Sequence, residues 1–445
     1  MTAGTKRSAS LTSSISPPPL KRKVESTVTS KTVAAFFTPT SKKKSDHITW
    51  RIVGGSLVIG KYAPAPDDNR QRTTENGKQR VAAFDLDSTL ISTASGNTFA
   101  RDATDWKWWH ATAPTRMKDL NSMGYQIIIM TNQKKISIQK ELKAGRSDSK
   151  SLANFKEKVS AIMRQLDIPM SVYAATEDDE NRKPRLGMWK EFLDDYDLDA
   201  DGVDLPNSLF VGDAAGRPKD HSSSDRGFAA NVGIPFKTPE EFFLGIAPEP
   251  STAFDPASYL TSNLGVPELL PFLKKNPVEL VIFVGSPGAG KSTFYWNHLQ
   301  PLGYERVNQD ILKTVREHRA CSRQKCIKVA REHLASERSV AVDNTNADPE
   351  TRKYWTDLAR DLDVPIRCIY FTSPPELCKH NNAVRAANRD LNPESRTPLP
   401  GIAFHDFARR FREPALSEGF QDIVRVAFRF KGSESARKIW SQYWI

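Results

Sequence analysis

Val81-Ala82-Ala83-Phe84-Asp85-Leu86-Asp87-Ser88-Thr89 opens with four apolar residues, as a strand buried on both faces must, and runs directly into two acids spaced i and i+2. In α/β sheets, ligands collect beyond the carboxyl ends of such strands. Asp85 and Asp87 can therefore turn into one pocket, one attacking a phosphorus atom while the other gives a proton and later takes it back. A phosphoester repels a carboxylate nucleophile, so the chemistry also demands a divalent cation and positive side chains. Neighbouring strand ends supply candidates. Ile127 to Met130 ends in Thr131-Asn132, whose hydroxyl and amide suit phosphate oxygens; Asn181-Arg182-Lys183-Pro184 offers an amine at Lys183; Leu209 to Val211 ends in Gly212-Asp213, a carboxylate able to complete a metal shell. Singly these are commonplace, since Asp-x-Asp sits in turns, Thr-Asn ends strands and Lys-Pro lies on surfaces. Their order, each behind a strand, is the informative part.

A second constellation lies downstream. Gly285-Ser286-Pro287-Gly288-Ala289-Gly290-Lys291-Ser292, with Thr293 next, fills every specified position of the P-loop between the apolar run Leu280 to Val284 and a predicted helix. Glycines let backbone N–H groups approach phosphates, the helix amino terminus adds partial positive charge, Lys291 reaches the β- and γ-phosphates of ATP, and Ser292 can ligate Mg²⁺. Asp310, after the strand Glu305 to Val307, is placed to accept the proton of an attacking hydroxyl or simply to cap a helix starting at Ile311. Asp343-Asn344-Thr345-Asn346 puts further polar groups at a strand end. His380-Asn381-Asn382-Ala383-Val384-Arg385, with Arg389, reads as a basic lid helix over the phosphates or as a solvated basic face.

Short apolar strands alternating with helical stretches continue around both motifs, at Ile52 to Ile59, Val172 to Ala175, Val340 to Val342, Ile366 to Phe371 and Ile423 to Phe430. This alternation predicts an α/β chain with two doubly wound parallel-sheet domains. The expected boundaries are a disordered basic tail at 1–47, a first domain at 48–246, a Pro- and Ser-rich linker at 247–277 and a second domain at 278–445. The tail holds nine Lys or Arg against two acids, so +7 of the net +11 sits there and basicity says little about the folded domains. Its Pro17-Pro18-Pro19-Leu20-Lys21-Arg22-Lys23 stretch suits a nuclear localisation signal, and Val33, Phe36 and Phe37 resemble a sliding-clamp docking motif that has Ser30 in place of its glutamine. No apolar run is long enough to cross a bilayer, and the four cysteines (Cys321, Cys326, Cys368, Cys378) contain no Cys-x-x-Cys pair, which argues against zinc and for reduced thiols.

The first half resembles the haloacid dehalogenase superfamily of phosphotransferases over roughly Lys78 to Gly245, with Ser88 where that superfamily most often has glycine. The two halves together resemble the eukaryotic polynucleotide kinase 3′-phosphatases. Phe84-Asp85-Leu86-Asp87, Gly212-Asp213-Ala214-Ala215-Gly216-Arg217-Pro218, Asn231-Val232-Gly233-Ile234-Pro235-Phe236, Asp343-Asn344-Thr345-Asn346 and His380-Asn381-Asn382 carry the likeness. The resemblance implies Asp85 as a nucleophile that becomes aspartyl-phosphate, Asp87 as general acid and base, Mg²⁺ on Asp85, Asp213 and the Asp87 backbone, and Thr131 and Lys183 as phosphate binders. In the second half it implies Lys291 and Ser292 as P-loop groups, Asp310 as general base and Arg385 as a lid arginine, with Asp343 and Arg316 as secondary assignments; Lys313 and Arg389 are further secondary candidates. Gln309 stands where relatives often have arginine, and the forkhead-associated domain of vertebrate members is expected to be absent.

The implied function is healing of DNA ends at nicks, gaps and double-strand breaks, in the nucleus and by a monomer: 3′-phosphate and 5′-hydroxyl termini become 3′-hydroxyl and 5′-phosphate. An RNA end-healing enzyme, a metabolite kinase-phosphatase and a scaffold with dead sites are the alternatives. Phosphatase-first order favours DNA over RNA, and no expected catalytic carboxylate or lysine is missing.

Overall fold

The computed structural model of the chain describes residues 47–64, 77–138, 148–199, 201–261, 272–312 and 323–445. The basic stretches, Val33, Phe36, Phe37, Lys313, Arg316 and Cys321 lie outside these residues.

Two sheets organise the chain. The first has seven strands, β1 (Ile48–Val53), β2 (Leu57–Tyr62), β3 (Val81–Phe84), β6 (Gln126–Asn132), β7 (Met170–Ala175), β8 (Leu209–Val211) and β9 (Phe236–Lys237), and beside it β4 (Ile91–Ser92) and β5 (Lys107–Trp108) form a separate small hairpin. Its order is β1-β2-β7-β6-β3-β8-β9. The expected single strand Ile52 to Ile59 is corrected: Gly54 and Gly55, at φ 59° and 74°, turn the chain, and β1 and β2 pair antiparallel. β2 also runs antiparallel to β7, so the sheet is parallel from β7 to β9 with an antiparallel edge. Strand alternation divides the apolar side chains between two cores. Ala82, Phe84, Ile127 and Ile129 enter one, Val81, Ala83, Ile128 and Met130 the other, and all eight are inaccessible to solvent.

The second sheet is wholly parallel, β10 (Leu280–Val284), β11 (Glu305–Val307), β12 (Val340–Val342), β13 (Ile366–Phe371) and β14 (Ile423–Val426), in the order β11-β12-β10-β13-β14. The run expected as one strand to Phe430 ends at Val426, because Phe428 and Phe430 turn to pack on Trp440 at ring-centroid distances of 5.2 and 5.5 Å. Under β10 lies a buried polar cluster: Glu279 accepts from Tyr304 Oη, from Arg367 Nη1 at 3.0 Å and from Asn276 Nδ2 at 2.6 Å. The stretch expected as a bare connector carries a short helix, Pro256–Thr261, and Phe254 and Tyr259 pack into the cluster built around Leu377, Val384 and Trp440.

The two halves meet a second time at the far end of the described chain. Tyr443 donates its backbone N–H to Asn231 Oδ1 at 2.8 Å, and Asn231 Nδ2 donates to Tyr443 O at 2.8 Å and to Pro184 O at 2.9 Å. Three residues earlier, Trp440 Nε1 donates to Asn381 Oδ1 at 2.8 Å, and Trp440 O lies 2.8 Å from His380 Nε2.

Candidate active sites

The first site forms where β3, β6 and β8 end side by side. Lys183 is its hub. This amine is almost wholly buried, donates to Asp85 Oδ1 and Met130 O at 2.6 Å each, and lies 2.7 Å from Asp225 Oδ1. Burial opposes charge on Lys183, but Asp225 and Asp85 more than restore it, so the ammonium holds its proton above the ordinary lysine value. Burial also pushes the Asp85 carboxyl well up; Lys183 works against this, while Asp225 and Asp213 add to it. Asp213, raised by burial and by Asp225, stands at about 6. Thr89 fixes Asp213 through its hydroxyl, which accepts from the Asp213 N–H at 3.0 Å and donates to Asp213 Oδ1 at 3.3 Å.

One oxygen from each of Asp85, Asp213 and Asp225 lies within 4.8 Å of the others. Three carboxylates facing one ammonium leave excess negative charge in a buried place, and hard oxygen donors at that spacing fit a divalent cation. Asp225 is absent from the sequence-based site. It sits at the start of the helix Ser224–Val232, twelve positions beyond Asp213 in a Ser-rich stretch that carries no strand-end signal.

Asp87, whose side chain is half exposed, points to the mouth of the site. Gln133 Nε2 donates to its Oδ2 at 2.6 Å and Lys158 Nζ to its Oδ1 at 3.1 Å. Lys158 was hidden from sequence analysis because it lies within the amphipathic helix Lys150–Leu166 and is itself mostly buried. Thr131 lies in the site, its hydroxyl accepting from Gln133 Nε2 at 3.0 Å. Asn132 also serves the lysine loop: it accepts from Lys183 N at 2.9 Å and donates to Lys183 O at 3.1 Å, which clamps the backbone that carries Lys183. Ser88, the departure from glycine, adopts φ 62°, a left-handed conformation closed by its N–H to Ile91 O at 2.8 Å.

The second site is a cleft over the P-loop, lined by Gly288 to Thr293, Asp310, Asp343, Arg385 and Arg396. Gly288 and Gly290 take φ 78° and 92°, which curls the loop so that Lys291 Nζ reaches back to Gly285 O at 2.9 Å and Ser286 O at 2.7 Å. Burial lowers the Lys291 amine to about 8, with Asp343 opposing. Ser292 Oγ donates to Asp343 Oδ2 at 2.8 Å. Asn381 Nδ2 holds Gly288 O at 3.0 Å, which ties the loop to the helix Pro375–Ala387. Arg385, on the same helix, reaches Asn382 Oδ1 at 3.1 Å and keeps a buried Nε without a hydrogen-bond partner. Arg389 is corrected: it faces solvent outside the cleft, because the helix ends at Ala387 and the chain changes direction. Asp343 is bound to Arg306, the nearest nitrogen at 2.5 Å.

Each sheet thus gathers one polar cluster at its carboxyl edge, the first built on carboxylates around a lysine and the second on a P-loop with its own lysine. This pairing defines the class: a two-centred α/β enzyme of phosphoryl chemistry. The family described as polynucleotide kinase 3 phosphatase matches residues 80–243, and an AAA domain family matches residues 280–414. The bifunctional polynucleotide phosphatase/kinase of Schizosaccharomyces pombe is 41% identical over 396 residues, which span 88% of each chain. The polynucleotide 3′-phosphatase of Saccharomyces cerevisiae is 29% identical over 208 residues, 37% of this chain and 87% of its own, and polynucleotide 3′-phosphatase ZDP of Arabidopsis thaliana is 32% identical over 187 residues, 40% of this chain and 26% of its own. The chain belongs to the bifunctional polynucleotide phosphatase/kinase family. Among the described residues no helix is long and apolar enough to cross a membrane.

Proposed function

We propose that this enzyme heals DNA ends during strand-break repair in the nucleus, removing 3′-phosphates in a domain at 48–246 and phosphorylating 5′-hydroxyls from ATP in a domain at 278–445. The observation that carries the reading is the gathering of Asp85, Asp213 and Asp225 around Lys183 at one sheet edge, in a chain whose other sheet carries a full P-loop.

In the phosphatase, Asp85 attacks the phosphorus as the P–O3′ bond breaks, and Asp87 gives the leaving oxygen its proton. Asp87 then takes a proton from the water that opens the aspartyl-phosphate, while Lys183 and Thr131 hold the phosphoryl oxygens. Asp85, Asp213, Asp225 and the Asp87 carbonyl would hold Mg²⁺, which would supply the positive charge that lets one anion attack another. Asp87 suits its task by being the half-exposed carboxylate of the set, able to reach both leaving group and water. In the kinase, the loop Gly285 to Thr293 cradles the triphosphate, Lys291 and Arg385 face its terminal phosphates, Ser292 would hold Mg²⁺, and Asp310 takes the proton of the 5′-hydroxyl. Clamp docking through Val33, Phe36 and Phe37 and a monomeric state belong to the same proposal.

A nicked duplex with 3′-phosphate and 5′-hydroxyl ends tests it. With Mg²⁺ alone the 3′-phosphate is expected to disappear; adding ATP is expected to produce a 5′-phosphate. Asp85→Asn abolishes the first product and Lys291→Ala the second. Loss of both in either folded variant contradicts two separate centres, and equal turnover of free sugar phosphates contradicts a polynucleotide substrate.

A further inference from the structure

Beyond the helix Pro375–Ala387 the chain makes a single 3-10 turn, Arg389–Leu391, and Asn392 then folds it back, donating from Nδ2 to Arg396 O at 2.8 Å and accepting from Arg396 N at 2.9 Å. The fold-back carries Arg396 over the P-loop, where Nη2 donates to Ser292 Oγ at 3.1 Å. Glu394 steadies the guanidinium from 2.6 Å and is itself anchored by Arg306 Nη1 at 2.7 Å and Trp296 Nε1 at 2.8 Å. Against the burial that opposes it, the hydrogen bonds from Arg306 and Trp296 hold the Glu394 carboxyl down at about 2, so it remains a charged anchor. Ser292, Asp343, Arg306, Glu394 and Arg396 therefore close a ring of polar contacts. Within that ring, Arg396 contacts a neutral hydroxyl on one side, and that hydroxyl is the group a P-loop offers to its metal ion.

We propose that Arg396 is a second phosphate-contacting arginine of the kinase site, parked on Ser292 at rest and moving onto the oxygens of the transferring phosphoryl group when the nucleotide enters. The proposal rests on reading the second site as a kinase. A triphosphate on the P-loop sets several negative charges beside Ser292, and a guanidinium fork matches two phosphate oxygens where a hydroxyl offers one acceptor. The buried, unpartnered Nε of Arg385 in the same cleft is a second donor left waiting for an anion. In the transfer, the 5′-oxygen bonds to the γ-phosphorus as the bridging P–O bond breaks, the hydroxyl proton passes to Asp310, and the electron pair leaves on the nucleoside diphosphate. Arg396 meets the charge that spreads over the equatorial oxygens meanwhile.

The test compares Arg396→Ala, Arg396→Lys and Arg389→Ala in the full chain, reading the ATP dissociation constant by calorimetry, the kinase kcat and, as a check of folding, the phosphatase rate. Arg396→Ala is expected to weaken ATP about 10-fold and lower kcat about 100-fold or more. Arg396→Lys is expected to recover most of the ATP affinity, through its charge, but little of kcat, because an ammonium has no fork. Arg389→Ala is expected to change nothing. If Arg396→Ala matches Arg389→Ala in both readouts while the parent binds ATP, the proposal is overturned and the kinase reading stands; if the parent binds no ATP, the kinase reading falls and takes the proposal with it.

Discussion

Replacing Gly212 by alanine isolates the part Asp225 plays. A methyl group built on Gly212 comes within 2.6 Å of Asp225 Cβ and Cγ, and closer still to Oδ2. Carbon atoms pack at about 3.5–4.0 Å, so the carboxylate has to give way by about 1 Å. It has little freedom to do so. Asp225 Oδ2 accepts from Ala214 N at 3.1 Å, Oδ1 lies 2.7 Å from Lys183 Nζ, and the residue is 1% exposed. The expected cost in stability is about 1–3 kcal/mol, typical of overpacking. The larger effect is on rate, because a displacement of about 1 Å in the group that steadies Lys183 and Asp85 is enough for a loss on the order of 100-fold. Single-turnover phosphate release from a 3′-phosphorylated oligonucleotide measures it, with ATP-dependent 5′-labelling by the same preparation as an internal control that should be unchanged. In an Asp225→Asn background the alanine should add little further loss, since both changes act through one group. A Gly212→Ala enzyme with phosphatase activity within about threefold of its parent would refute the reasoning.

The mirror experiment is Gly288→Ala, where the added methyl falls on the Cys378 carbonyl and φ is 78°; kinase turnover should drop on the order of 100-fold with the phosphatase intact, whereas Gly290→Ala, which meets nothing within 4 Å, should do less harm. His380, buried and lowered by desolvation to about 4, is neutral in the fold but protonates near 6.5 once unfolded. The unfolded chain therefore binds more protons between those values, stability is full above about pH 6.5, and about 2 kcal/mol is lost on going from pH 7 to pH 5. Urea midpoints of the kinase half at the two pH values, compared with those of His380→Gln, check the sign and the size. Glu279→Leu strands Arg367, Tyr304 and Asn276 together and should cost about 3–5 kcal/mol, read as an earlier loss of kinase activity in urea with the phosphatase following its usual course.

Strand ends were the legible part of this chain. Asp85, Lys183 and Asp213 could be brought together from sequence because each follows a strand of one parallel sheet, and position along such a strand is also position in space. The same logic placed the P-loop. Asp225 escaped it, since a helix start can face the site without any local pattern announcing it. Asn132 shows another limit: strand-end position does not reveal that its side chain also clamps the neighbouring lysine loop through two backbone hydrogen bonds. Gly54-Gly55 was a readable turn signal, yet the apolar run on either side masked it as one strand. Arg389 and Arg396 separate for a further reason. Helical spacing projects side chains only while the helix lasts, and which arginine a folded-back segment delivers depends on Asn392, whose contacts have no periodicity.

The small seam between Asn231 and Tyr443 also bears on how the two halves stay together. Its partners are 212 positions apart in the chain, and it includes a pair of backbone-to-amide hydrogen bonds beside one tyrosine, whose Oη lies 3.3 Å from Asp255 Oδ1. Two hydrogen bonds of this kind would not by themselves hold two free proteins together at ordinary concentrations. Here the covalent connection through residues 247–277 makes the encounter intramolecular, so a contact too weak to join two free proteins still contributes to holding the halves together. Proteolytic nicking of the connector would remove this advantage without touching a catalytic group: the halves would keep their separate chemistry and lose their common address.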